Sequence, residues 1–151
     1  MRLNYIANAL SIMMIYTGIV ILSPIIIALI YHDYTSIVPF ISAGIISMLI
    51  GYLLRKIVPR TANLENLNDI KKDEGLFIVA SSWIIFGLIA SIPYLFYGLS
   101  PLNAIFEAVS GITTTGATIL TNFDYPKAFF FWRALTQWLG GLGIIVLFIA
   151  I

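Results

Sequence analysis

Cysteine is absent from the 151 residues, histidine occurs once, and only 10% of side chains are charged. Without cysteine there are no disulfides, thiolate metal sites or cysteine nucleophiles, and one histidine makes no cluster for a metal or a proton relay. Eight Lys and Arg stand against seven Asp and Glu, a net charge of +1, so no basic face exists to neutralise a phosphate backbone and nucleic-acid binding is not expected. Most enzyme chemistries lose their usual residues here. The chain has apolar side chains instead: 60% hydrophobic, against roughly 45–50% in an average soluble domain, with a mean hydropathy of +1.00. A single core of ~150 residues cannot hide that much apolar surface, and the composition implies lipid as solvent.

Three uncharged runs carry the hydropathy. Leu3 to Tyr31 spans 29 residues, Ser36 to Leu54 spans 19 and Gly75 to Leu99 spans 25, each near or above the ~20 residues that cross a bilayer core as helix. A cleaved signal peptide is the rival reading of the first run, but its apolar stretch is roughly twice the usual 7–15 residues. Pro24 predicts a kink inside that run, tolerated in lipid where neighbours satisfy the freed carbonyl. Between the second and third runs lies a polar connector, residues 58 to 74, with Arg60, Lys71, Lys72, Glu65, Asp69, Asp73 and Glu74, preceded by Arg55 and Lys56. Basic residues favour the cytoplasmic side, which puts the N-terminus and this connector inside and the His32, Asp33, Tyr34 turn outside. That turn, flanked by tyrosines, reads as interfacial rather than as a metal or proton-relay site.

After the third run the pattern changes. Ser100 and Pro101 form a cap followed by proline at the first helical position, and Pro101 to Ile112 is too short to span, so it reads as a re-entrant or interfacial helix. It leads into Thr113, Thr114, Thr115, Gly116, Ala117 and Thr118, rich in hydroxyls and poor in helix formers. Irregular backbone at membrane depth occurs where it is buried in protein or lines a water-filled cavity. There, backbone carbonyls and threonine hydroxyls can replace the hydration shell of a monovalent cation. The bland alternative is a solvated extracellular loop. Glu107 is an acid at membrane depth, a functional hypothesis by default, which accepts hydrogen bonds from the backbone of the threonine-rich loop or, alternatively, contacts an ion directly. Arg133, inside a fourth apolar segment, either snorkels to the interface or pairs with Glu107 or Asp124. Gly140, Gly141 and Gly143 point first to close helix packing, and alternatively to a hinge.

Two stretches, FEAVSGITTTGAT (Phe106 to Thr118) and RALTQWLGGLGIIVLFIAI (Arg133 to Ile151), closely resemble the Trk/Ktr/HKT cation-uptake family, in particular its TrkH-type potassium-uptake subunits. The resemblance implies an all-α integral membrane fold with four repeats of outer helix, pore helix with filter loop, and inner helix, behind two leading helices. Mapped onto this sequence, residues 1 to 57 are the two leading transmembrane helices, 58 to 74 a cytoplasmic connector and 75 to 151 the first pore repeat. Within that repeat the outer helix is 75 to 98, the pore helix 101 to 112, the filter 113 to 118 and the inner helix 127 to 151.

The resemblance further implies an ion-binding filter at Thr113, Thr114, Thr115 and Gly116, supported by Glu107 and Arg133, with no catalytic residue. Potassium would be the substrate, with no cofactor in this chain and no metal site beyond the filter. The implied partners are the remaining pore repeats, a second copy in a homodimer and a cytoplasmic nucleotide-binding regulatory subunit, in the cell membrane of a prokaryote. Sodium or mixed sodium and potassium uptake is the alternative within transport, and a non-conducting membrane subunit the alternative outside it. The apolar run that ends at Ile151 reads as a truncated sequence or fragment, whose single filter loop needs other repeats to complete a coordination ring.

Overall fold

The computed structural model describes residues 3–58 and 72–150. Most of the connector expected over 58 to 74 lies outside the described residues. The described residues form helices only: α1 (Leu3–Ile21), α2 (Pro24–Ile30), a 3-10 turn (Tyr34–Ser36), α3 (Ile37–Ile57), α4 (Lys72–Phe96), α5 (Pro101–Ile112) and α6 (Lys127–Ala150). Three stretches are long and apolar enough to cross a membrane, Asn4–Ile30, Tyr34–Ile57 and Asp73–Phe96.

The kink expected at Pro24 is a break between α1 and α2. Proline has no N–H for the Val20 carbonyl four residues back. Ser23 fills the gap twice, its N–H donating to that carbonyl at 3.0 Å and its hydroxyl at 2.7 Å. The second proline, Pro93, stays within α4, where the Trp132 indole N–H of α6 donates to the nearby Ala90 carbonyl at 3.1 Å.

Small residues let α1 and α3 touch. A β-carbon on Gly18 would stand 2.8 Å from the Gly44 carbonyl, and one on Gly51 2.8 Å from the Ser11 carbonyl; such backbone proximity is how helices pack in lipid, where no hydrophobic force drives them together. Ser47 Oγ adds a hydrogen bond to the Met14 carbonyl at 2.7 Å. An aromatic cluster then ties α3 to α4 and α6. Phe40 meets Trp132 at 6.1 Å between ring centroids, Tyr94 meets Phe129 edge-on at 5.2 Å, and Tyr125 stacks on Phe129 at 4.4 Å. At its rim the Tyr97 hydroxyl donates to Ser36 Oγ at 2.8 Å, and Ser36 donates in turn to the Asp33 carboxylate.

The reversal from α4 into α5 positions the site. Gly98 takes φ +85° while Gly98 N donates to Leu95 O and Leu99 N to Tyr94 O, the pattern that closes a helix through a left-handed residue. Ser100 then caps α5, its hydroxyl accepting from Asn103 N at 3.4 Å with Pro101 in the first turn.

Candidate ion-filter site

α5 presents a face of small residues to its neighbours: Ala104, Glu107, Ala108 and Gly111 are buried, whereas Leu102, Phe106 and Val109 are exposed. The i, i+3, i+4, i+7 spacing of the buried set puts Glu107 on the packed side. Its carboxylate is fully buried, and a charge held there requires partners.

Those partners come from both directions. Glu107 Oε2 pairs with Arg133 Nε at 2.9 Å, while Oε1 accepts from the Thr118 hydroxyl at 2.5 Å and from the Ile119 N–H at 2.8 Å. Of the two acids considered for Arg133, Glu107 is therefore the partner and Asp124 is not. The guanidinium does not reach for solvent alone: Arg133 Nη2 also donates to the carbonyls of Gly116 at 3.3 Å and Ala117 at 3.4 Å. Ser110 Oγ donates to the Ala117 carbonyl at 2.6 Å. The returning limb of the loop, residues 116 to 119, is thus fastened to α5 and α6 by one ion pair and its surrounding hydrogen bonds.

The outgoing limb has a different character. α5 ends with Thr114 N donating to Gly111 O and Thr115 N to Ser110 O, a helix-closing pattern that requires a left-handed residue at position 114. Thr114 takes it at φ +56°, followed by Gly116 at φ +73°. Glycine enters this region freely, but a β-branched residue there is strained by about 1–3 kcal/mol and persists only where its surroundings impose it. The threonine hydroxyls bond locally: Thr113 Oγ1 to the Val109 carbonyl at 2.8 Å, Thr113 Oγ1 with Thr115 Oγ1 at 2.8 Å, and Thr114 Oγ1 to the Thr113 carbonyl at 2.7 Å. Among the described residues no hydrogen bond takes the carbonyls of Thr114 or Thr115. Residues 113 to 118 are all exposed.

Thr113, Thr114, Thr115 and Gly116 thus lie together in one turn, with Glu107 and Arg133 behind it. Gly116 differs from the threonines because its carbonyl faces Arg133. Sequence reasoning missed Ser110, Thr118 and Thr136 as parts of the support. Thr136 is fully buried, and a β-carbon on Gly111 would come within 2.5 Å of its Oγ1. A hydroxyl residue three positions after Arg133 on an apolar helix was the available signal. No group of metal-ligating side chains occurs among the described residues; the oxygens here are carbonyls and hydroxyls, which suit a hard monovalent cation.

Comparison with known proteins fixes the family. The family model described as TrkH, cation transport protein, matches residues 41–151. The Trk system potassium uptake protein TrkH of Halomonas elongata is 34% identical over 155 aligned residues, which take in 100% of this chain and 31% of that protein. The protein of the same name from Escherichia coli (strain K12) is 36% identical over 141, with 91% and 28% covered. The crystal structure of the potassium transporter TrkH from Vibrio parahaemolyticus superposes with a TM-score of 0.89 at 31% identity, covering 99% of this chain and 32% of that one. The chain thus spans about a third of the length of the relatives it matches. In sequence and in helix arrangement it belongs to the TrkH family of cation transport proteins, multi-pass all-helical membrane proteins rather than enzymes.

Proposed function

We propose that this chain supplies one filter loop and one flanking inner helix of a pore for potassium uptake, completed by the remaining repeats of a four-repeat assembly. The observation that carries the proposal is the exposed turn from Thr113 to Gly116, strained at Thr114 and anchored from behind by Glu107 and Arg133. The Thr114 and Thr115 carbonyls, which no donor occupies, on a turn braced against collapse, are what dehydration of a monovalent cation needs. The carboxyl end of α5 adds its partial negative charge at the same place. The relatives' names, potassium uptake protein and potassium transporter, agree with this choice of ion.

In this reading α4 is the outer helix, α5 the pore helix, residues 113 to 118 the filter and α6 the inner helix. Transport is passive along the filter and uses no cofactor. Arg55 and Lys56 in the last turn of α3 mark the cytoplasmic side, with the N-terminus also inside and the Asp33 turn and filter mouth outside. A second copy of the complete chain and a cytoplasmic nucleotide-binding subunit are the expected partners.

The test is Gly116→Ser in the complete transporter, read as rubidium and radioactive sodium uptake at matched membrane levels. A β-carbon disfavours the positive φ at this position, so discrimination for potassium over sodium should fall. Unchanged discrimination with normal protein levels would remove Gly116 from the filter.

A further inference from the structure

One stripe of α6 touches both the returning limb of the filter loop and the end of α5 that carries it. Arg133 binds Glu107 and the carbonyls of Gly116 and Ala117. Thr136, three residues on, fills the space left open by Gly111: a β-carbon there would lie 2.5 Å from its Oγ1 and 3.3 Å from its Cβ. Gly140, four residues further, meets the last residue of α5: a β-carbon on Gly140 would stand 1.9 Å from the Ile112 carbonyl oxygen and 2.7 Å from its carbon. The spacing of 133, 136 and 140 puts all three on one face of α6, and the contacts descend in order along the carboxyl end of α5.

The neighbouring glycines differ. A β-carbon on Gly141 would meet only the Thr114 methyl at 3.8 Å, and one on Gly143 only Trp83 at 3.6 Å. Both are ordinary contacts that a methyl could make without displacement. Gly140 alone in this glycine cluster is required by a backbone group that cannot rotate away. Ile112 precedes the four residues Thr113 to Gly116, so a shift of its carbonyl is transmitted directly to them.

We infer that Thr136 and Gly140 are positioning residues for ion selectivity: the 133, 136, 140 face of α6 is the seat on which the end of α5 and the filter turn are fixed. Gly140 acts as a notch for the Ile112 carbonyl, not as a hinge. This inference rests on the proposed filter at 113 to 116. A crevice of about 300 Å³ among α1, α4 and α6 reaches this contact, with both Gly140 and Ile112 in its wall.

The experiment compares Gly140→Ala, Gly143→Ala and Gly111→Ala in the complete transporter, each as the ratio of rubidium to sodium uptake at matched membrane levels. Gly140→Ala and Gly111→Ala should each lower the ratio about tenfold, the factor expected if the strain of one overpacked methyl falls on the ion-bound filter. Gly143→Ala should leave the ratio within about twofold, as a substitution away from a tight contact does.

A second variant keeps the test decisive should Gly140→Ala fail to reach the membrane. Gly111→Ala combined with Thr136→Ala removes the hydroxyl that the new methyl meets, so the double variant should recover most of the lost ratio. Simple loss of folding would not give a ratio that returns in this way. If Gly116→Ser changes selectivity while Gly111→Ala and Gly140→Ala do not, the seat is wrong and the filter stands. If Gly140→Ala changes the uptake rate with the ratio intact, Gly140 is a hinge and the inference fails. If Gly116→Ser also leaves the ratio unchanged, the underlying filter reading has failed.

Discussion

Where α1 crosses α3, the contact is Gly18 on Gly44 and Gly51 on the Ser11 carbonyl, with the Ser47 hydroxyl bonding the Met14 carbonyl across the two helices. Where α6 meets α5, glycine again admits a backbone, at Gly140 and Gly111, but the surroundings are a buried ion pair and hydrogen bonds from Arg133, Ser110 and Thr118. The first contact is held by shape with one interhelical hydrogen bond, and the second by shape together with a buried ion pair and the hydrogen bonds around it. Close fit with little polar help suffices to hold a helical hairpin in lipid, since each helix satisfies its own backbone. It does not suffice to hold an irregular turn, whose carbonyls and N–H groups need side chains to fix them. Changes at the hairpin should therefore alter stability without touching ion choice, and changes at the turn should alter both.

The largest effect is expected from Arg133→Met, which leaves the fully buried Glu107 carboxylate without its cation; removing one partner of a buried pair costs about 3–5 kcal/mol. A thermal-unfolding midpoint in detergent should fall steeply and recover in part when Glu107→Gln is added. A single variant as stable as the parent would show that the ion pair does not hold the turn. Next comes Gly51→Ala, where a methyl would meet the Ser11 carbonyl at 2.8 Å, an overpacking of about 1–3 kcal/mol. The same unfolding assay should register it while the rubidium to sodium ratio stays fixed. A changed ratio would erase the distinction between the two regions.

A smaller effect is expected for Tyr97→Phe, which removes the bond to Ser36 and with it about 1 kcal/mol. The unfolding midpoint in detergent should fall modestly while the rubidium to sodium ratio stays fixed; an unchanged midpoint would contradict the assignment. The smallest effect is that of Ser47→Ala, about 0.6 kcal/mol for one interhelical hydrogen bond in a membrane protein, visible as a slight drop in the unfolding midpoint.

These contrasts explain what could be read in advance. Long uncharged runs give helices because lipid permits little else, and Ser100 with Pro101 marks a helix start through purely local chemistry. α5 keeps the bounds expected from that punctuation, Pro101 to Ile112. Glu107 and Arg133 were each legible as a charge at membrane depth that needs a partner. The choice of Glu107 over Asp124 was not legible, since it depends on how α5 and α6 are placed together in space. The contacts of Gly111 with Thr136 and of Gly140 with Ile112 were hidden for the same reason: a glycine in sequence shows permission to approach, not what approaches. Gly44, Ser47 and Gly51 did carry a signal, small residues on one face of α3, that the hydropathy reading passed over.

The account's central claim is that the turn from Thr113 to Gly116 lines the ion path. Anomalous diffraction from crystals of the complete transporter grown in rubidium tests it most directly. The expected result is a rubidium peak in contact with the Thr114 and Thr115 carbonyl oxygens, the two on this turn that no donor occupies. Rubidium ordered along the pore with none near these residues would contradict it.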